Sequence, residues 1–179
     1  MTARASVLGL DLSLTATGVC WVQPGDDTPD HFTIPTKPAQ EIGYRLELVL
    51  DQLQVITDVT SPRLAVIELL PTHMKGTGQT GMVHGIVRHH LWNHDVPVID
   101  VPPATLKVWA TGRGNATKPD MRMEAFKRLD VDERDDNRVD ALWLWTLGAH
   151  VLGDPVVDLP QTHLRALDKL DTSSIGVTP

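Results

Sequence analysis

The sequence predicts an α/β fold: a five-stranded mixed sheet, with a three-strand antiparallel meander first and two parallel strands after, flanked by helices. Three observations carry this expectation. Two apolar runs, 6–12 and 18–23, are separated only by small and hydroxyl residues, and a third short alternating run follows at 31–35. Short turns between such runs imply antiparallel neighbours. From residue 41 onward, segments with helical periodicity alternate with apolar strands, the pattern of an α/β sheet. The run Arg63-Leu64-Ala65-Val66-Ile67-Glu68-Leu69-Leu70 is almost wholly apolar, as a central strand covered on both faces requires.

In chain order, the opening hairpin carries Asp11 inside its first apolar run, and Gly18 begins its second. The cluster Pro24-Gly25-Asp26-Asp27-Thr28-Pro29-Asp30 turns the chain into the third strand. Ile42, Leu46, Val49, Leu53 and Ile56 recur at spacings of four and three, predicting a helix over 41–57 with one apolar stripe. The strand at 63–70 follows. A glycine-rich stretch over 71–81 is expected as a loop, leading into a helix over 82–94 with Val83, Ile86, Val87 and Leu91 on one face. A short strand at 97–101 ends at Pro102-Pro103, a short helix spans 105–110, and a flexible loop runs over 112–117. A helix over 118–129 tolerates Pro119 in its first turn. Asp135 or Asp136 opens a final long helix to about 152, because an acid in the first turn favours the helix dipole. Gly153-Asp154-Pro155 stops it.

The chain has 179 residues, which suits one domain with a substantial core. That domain is expected over 1–154, with a partly ordered tail over 155–179. No apolar run approaches the roughly 20 residues of a membrane span, and the first residues lack the pattern of a signal peptide. The single cysteine, Cys20, excludes an intrachain disulfide and fits a reducing, cytoplasmic compartment. The net charge is −7, against a simple nucleic-acid binder, yet Lys and Arg outnumber Asp and Glu between His73 and Arg128. A basic middle in an acidic chain is one form of footprint for a polyanion.

Three acids interrupt apolar settings: Asp11 in the first strand, Glu68 near the end of the strand at 63–70, and Asp140 ahead of Ala141-Leu142-Trp143-Leu144-Trp145. A buried carboxylate is costly without a partner. Asp136 lies one helical turn before Asp140 and shares its face. If the first and fourth strands are neighbours, Asp11 and Glu68 come together with the last helix across them. Packed carboxylates cannot all stay ionised without a cation. Hard oxygen ligands suit Mg²⁺ or Mn²⁺, and two such ions can drive phosphodiester cleavage. The competing reading makes Asp11 a water-facing edge acid, Glu68 and Asp140 solvated element ends, and Asp136 an N-cap. Lys107 and Lys118 are basic residues able to hold a phosphate beside such a cluster. His73, His84, His89, His90 and His94 lack a cysteine or acid at metal-ligand spacing, so zinc is not expected. Trp143 and Trp145 are expected in the core or at a dimer contact.

Four segments resemble RuvC-type Holliday junction resolvases. They are Gly9-Leu10-Asp11-Leu12-Ser13-Leu14-Thr15-Ala16-Thr17-Gly18, Val66-Ile67-Glu68, Pro103-Ala104-Thr105-Leu106-Lys107 with Lys118 beyond a glycine-rich loop, and Asp140-Ala141-Leu142. The resemblance runs from about residue 7 to 152, and the segment 135–145 is similar to bacteriophage or prophage members. It implies an RNase H-like fold, a homodimer, and metal-dependent nicking of branched DNA by two Mg²⁺ or Mn²⁺ ions. It carries over Asp11, Glu68 and Asp140 as ligands. Cellular members place a fourth ligand three residues before the last acid, where this chain has Asn137; Asp136 is taken in its stead. Cellular members also carry an aromatic after the second acid, where this chain has Leu69-Leu70-Pro71. Lys75, Arg113 and Arg122, with Lys107 and Lys118, are the expected DNA contacts, and the helix at 82–94 is the expected dimer face.

Two other classes bear on the same residues. Asp11, Thr15 and Gly18 also match the phosphate hairpin of actin and sugar-kinase-type ATP-binding proteins, but those need a second duplicated domain that 179 residues cannot hold. No nucleotide cofactor is therefore expected. A non-catalytic branched-DNA binding protein, with Asn137 marking a decayed site, is the other alternative.

Overall fold

A computed structural model describes residues 4–70 and 77–175 of the chain. Lys75 and His73 lie outside them. The strands are β1 (Val7–Asp11), β2 (Ala16–Val22), β3 (Pro29–Pro35), β4 (Leu64–Glu68) and β5 (Val98–Val101), in the spatial order β3-β2-β1-β4-β5. β1 pairs antiparallel with β2, and β2 with β3; β1–β4 and β4–β5 are parallel. The meander and the pairing of the first and fourth strands are as the sequence implied.

Alternation along the strands divides the apolar residues between two cores. Leu8, Leu10, Val19, Ala65 and Ile67 face helices α1 (Ile42–Thr60) and α2 (Thr77–Asn93). Val7, Cys20, Leu64, Val66 and Ile99 face α3 (Pro103–Thr111), α4 (Lys118–Leu129) and α5 (Asp136–Val151). Trp143 and Trp145 are both buried in this second core. The segment beyond α5 forms the short helix α6 (Gln161–Leu164) and two single 3₁₀ turns, and it buries Leu159, His163 and Ala166.

α2 begins at Thr77, so part of the expected glycine-rich loop is helical. The stripe Val83–Val87–Leu91 anchors this helix. It extends back through Gly78 and Gly81, where a side chain would meet open space. α1 runs on to Thr60 and stops at Ser61, which takes a left-handed φ of 43° just before Pro62, a residue that disfavours helix in its predecessor.

α5 lies directly on the β1–β2 hairpin. A Cβ on Gly9 would stand 2.6 Å from the backbone N of Trp145, and one on Gly18 would stand 2.6 Å from the carbonyl carbon of Asn137. Only glycine permits this approach, because the obstacle is helix backbone that cannot rotate away. Gly9→Ala or Gly18→Ala is expected to lower unfolding free energy by about 2–3 kcal/mol, as overpacking does, read by urea denaturation. Gly81→Ala, in open space on a helix, is expected to be neutral or stabilising by up to about 1 kcal/mol.

Candidate metal centre

The parallel register sets Leu10 opposite Ile67, so the next residues, Asp11 and Glu68, end adjacent strands side by side. Alternation turns both toward α5. The glycine approach lowers α5 onto them and delivers Asp140, which is 1% exposed. One carboxylate oxygen from each of Asp11, Glu68 and Asp140 lies within 4.8 Å of the others.

Lys118, the first residue of α4, donates to Asp140 Oδ2. Its place is fixed by a capping box. Thr117 Oγ1 accepts from the Asp120 backbone N–H at 3.4 Å, and the Asp120 carboxylate accepts from the Thr117 N–H at 2.8 Å. Lys107 reaches the cluster from α3 electrostatically, holding the Glu68 and Asp140 carboxyls lower than they would otherwise be.

The net electrostatics still oppose ionisation. Burial, then the neighbouring charges of Glu68 and Asp140, pushes the Asp11 carboxyl well above its usual range. Burial and Asp140 push Glu68 up to about 7. Burial also raises Asp140, against the opposing pull of Lys118. For the Lys118 ammonium burial is unfavourable, but Asp140, Asp11 and Glu68 hold its pKa above the ordinary value. Asp140 Oδ1 is buried without a hydrogen-bond partner. Three clustered carboxylates, one with an uncommitted buried oxygen, fit a hard divalent cation.

Asp136 is not in this group. Its carboxylate accepts from Arg122 Nε at 2.8 Å and lies 2.6 Å from Arg122 Nη2, while its charge raises the pKa of nearby Asp140. The N-cap is Asp135: its side chain accepts from the Asn137 N–H and from Thr33 Oγ1, tying the start of α5 to β3. Asn137 turns its backbone carbonyl against Gly18. Arg113 sits 3.5 Å from Asp120 at the surface. Among the described residues, no histidine joins a metal-holding group; His90 is packed against Thr57 at 3.1 Å.

Arg45 supports the site without having been singled out by the sequence reading. It is 4% exposed, and its guanidinium donates to Leu14 O, Thr15 Oγ1 and Thr36 Oγ1, clamping the turn that follows Asp11. Its signal was available: Arg45 falls on the buried stripe of α1 with Val49, Leu53 and Ile56.

No profile of a known protein family matches the chain. Individual relatives do. Over 127 residues it is 30% identical to the crossover junction endodeoxyribonuclease RuvC of Chlamydia trachomatis serovar L2, covering 68% of this chain and 74% of that one. The chain belongs to the RuvC family. The enzyme of the same name from Chlamydia muridarum is 25% identical over 168 residues, covering 88% of this chain and 98% of the relative. In fold, the chain resembles Thermus thermophilus RuvC in its complex with a Holliday junction substrate, with a TM-score of 0.71, 19% identity and coverage of 86% and 99%. The five-stranded mixed sheet flanked by helices is thus the RNase H-like fold that the sequence resemblance implied.

The raised Glu68 carboxyl has a consequence for stability. Its folded pKa of about 7 exceeds the ordinary 4.5, so between those values the folded state binds more protons than the unfolded. Stability therefore falls as pH rises through this window. Without divalent cations, Glu68→Gln is expected to gain on the parent by roughly 1–3 kcal/mol between pH 4.5 and pH 8, measured by thermal or urea unfolding at both pH values. An unchanged difference would contradict the charge crowding.

Proposed function

We propose that the chain is a structure-specific endodeoxyribonuclease that nicks Holliday junctions or other branched DNA. The observation that carries this reading is the clustering of half-buried Asp11 and Glu68 with buried Asp140, Lys118 beside them, in a chain of the RuvC family. Asp11, Glu68 and Asp140, with Asp136 as fourth ligand, hold Mg²⁺ or Mn²⁺, two ions per site. Such ions supply charge neutralisation and water activation for phosphodiester hydrolysis, leaving 5′-phosphate and 3′-hydroxyl ends.

The chain's own residues do the rest. The carboxylates define where cations would sit, and the burial of Asp140 limits competition from bulk water. Lys118 holds a phosphate oxygen once Asp140 no longer claims its ammonium, and Lys107 adds a second positive charge to the same region. Arg113, Arg122 and Lys75 contact backbone phosphates. In doing so Arg122 releases Asp136, which becomes available to the centre. The chain acts as a homodimer, since a four-way junction and most homodimers share two-fold symmetry. α2, with Met82 and Trp92 exposed, supplies the dimer face. None of the helices among the described residues is long and apolar enough to cross a membrane, and the DNA is met in the cytoplasm.

The test is cleavage of a synthetic four-way junction, a flap and a linear duplex in Mg²⁺ or Mn²⁺. The parent is expected to cut the junction in preference to the duplex. Asp11→Asn is expected to lose about 10³-fold in rate while still binding the junction, the order of loss that follows removal of a catalytic group. Asp136→Ala is expected to slow cleavage more than Asn137→Ala. An Asp11→Asn variant that cuts like the parent would refute the assignment. A parent that binds but never cuts would make the chain a branched-DNA binding protein.

A further inference from the structure

The two lysines at the carboxylates come from opposite ends of one connection. Lys107 lies on α3, and Lys118 opens α4 immediately after the 112–117 loop. That loop contains Gly112 and Gly114 and has little intrinsic stiffness. α3 ends at Gly112, which takes a left-handed φ of 75° and donates to Val108 O at 2.8 Å. The last carbonyls of a helix have no partner within it.

One of them, and the carbonyl of the capping glycine, are taken by the segment beyond α5. His163 Nδ1 lies 2.8 Å from Trp109 O, and Arg165 Nη2 donates to Gly112 O at 2.8 Å. The His163 ring covers Gly112 so closely that a Cβ there would stand 3.2 Å from it. His163 is buried, and its neighbour Ala166 is 1% exposed. Burial holds the imidazole pKa below its ordinary value, which favours the neutral ring with its proton on Nδ1. On its other side α3 is tied to α5, the helix of Asp140, by Trp109 Nε1 donating to Thr146 Oγ1 at 2.9 Å. α3 is thus gripped between the helix that carries a carboxylate and a segment remote from it in sequence.

We propose that His163 and Arg165 are positioning residues for DNA cleavage. By closing the C-terminal end of α3, they hold Lys107 and the 112–117 loop so that both lysines face the carboxylates. This rests on the nuclease reading above. Neither residue touches the carboxylates; each acts through the end of α3.

The experiment uses the full chain and two readouts. Amide hydrogen exchange at 112–116 needs no catalysis. It is expected to rise at least about tenfold in Arg165→Ala, an exposed position whose change leaves the core intact, and to return toward the parent in Arg165→Lys. His163→Ala should repeat the effect, and His163→Asn, whose amide still donates to Trp109 O, should recover it. On a four-way junction with Mn²⁺, Arg165→Ala is expected to lower kcat about 5- to 20-fold, with KM changed less than twofold. Placed on Lys107→Ala, it should cost less than it costs the parent, the remainder passing through the loop to Lys118. Unchanged exchange in Arg165→Ala, or a rate loss that multiplies fully with that of Lys107→Ala, would overturn the proposal. If exchange responds but the parent does not cut, the nuclease reading fails and the positioning role in cleavage falls with it; if the parent cuts and exchange does not respond, only this inference fails.

Discussion

Helix α5 rests on the backbone of the β1–β2 hairpin with no side chain between them at Gly9 and Gly18. Most of the functional geometry follows from that approach. Without it Asp140 would stand a side chain's thickness higher, out of reach of the two strand-end acids. The same seating brings Gly148 against Val7 and Val66, so the helix is flush with the sheet along its length. It also explains why α5 is buried almost all round rather than along one stripe: the sheet lies beneath it, and α3, α4 and the C-terminal segment pack over it.

Placing three carboxylates at that seam creates an electrostatic problem that the protein alone only partly solves. Burial raises all three pKa values, and neighbouring acids add to it, Glu68 and Asp140 at Asp11, Asp140 at Glu68 and Asp136 at Asp140, while Lys118 provides one close positive charge and Lys107 a more distant one. One ammonium against three carboxylates leaves an excess of negative charge that can be relieved by protonation or by a cation. A fold indifferent to function would place apolar residues here, as the rest of this core does. The Arg122–Asp136 pair has a related logic at the rim. It neutralises an acid whose charge reaches Asp140, and both partners remain accessible to solvent.

Much of this was legible in the residues. Asp11 and Glu68 stand out because each breaks an apolar strand, and a meander followed by a crossover makes those strands neighbours. The flanking run Ala141–Trp145 marks Asp140 as buried. Periodicity could not show what lies between elements. Arg122 and Asp136 pair across two helices, so spacing along the chain carries no trace of it. Asp136 and Asp135 compete for the same role at the start of a helix, and the hydroxyl of Thr33, far away in sequence, helps select Asp135 as the cap. The glycines of 71–81 read as loop because composition says nothing of the anchoring stripe one turn later. Residues beyond 155 carry weak apolar patterning, since they dock through single buried positions such as His163 and Ala166 rather than through a regular face.

The central claim is that burial and crowding oppose full ionisation of the Asp11, Glu68 and Asp140 cluster, and that a divalent cation would relieve this. Calorimetric titration of the protein with Mn²⁺ near pH 7, in buffers of different ionisation enthalpy, reads this directly. Binding is expected to release protons, because ligands must be deprotonated to coordinate, and the release should shrink in Glu68→Gln. Absence of binding, or binding with no proton released, would contradict the account.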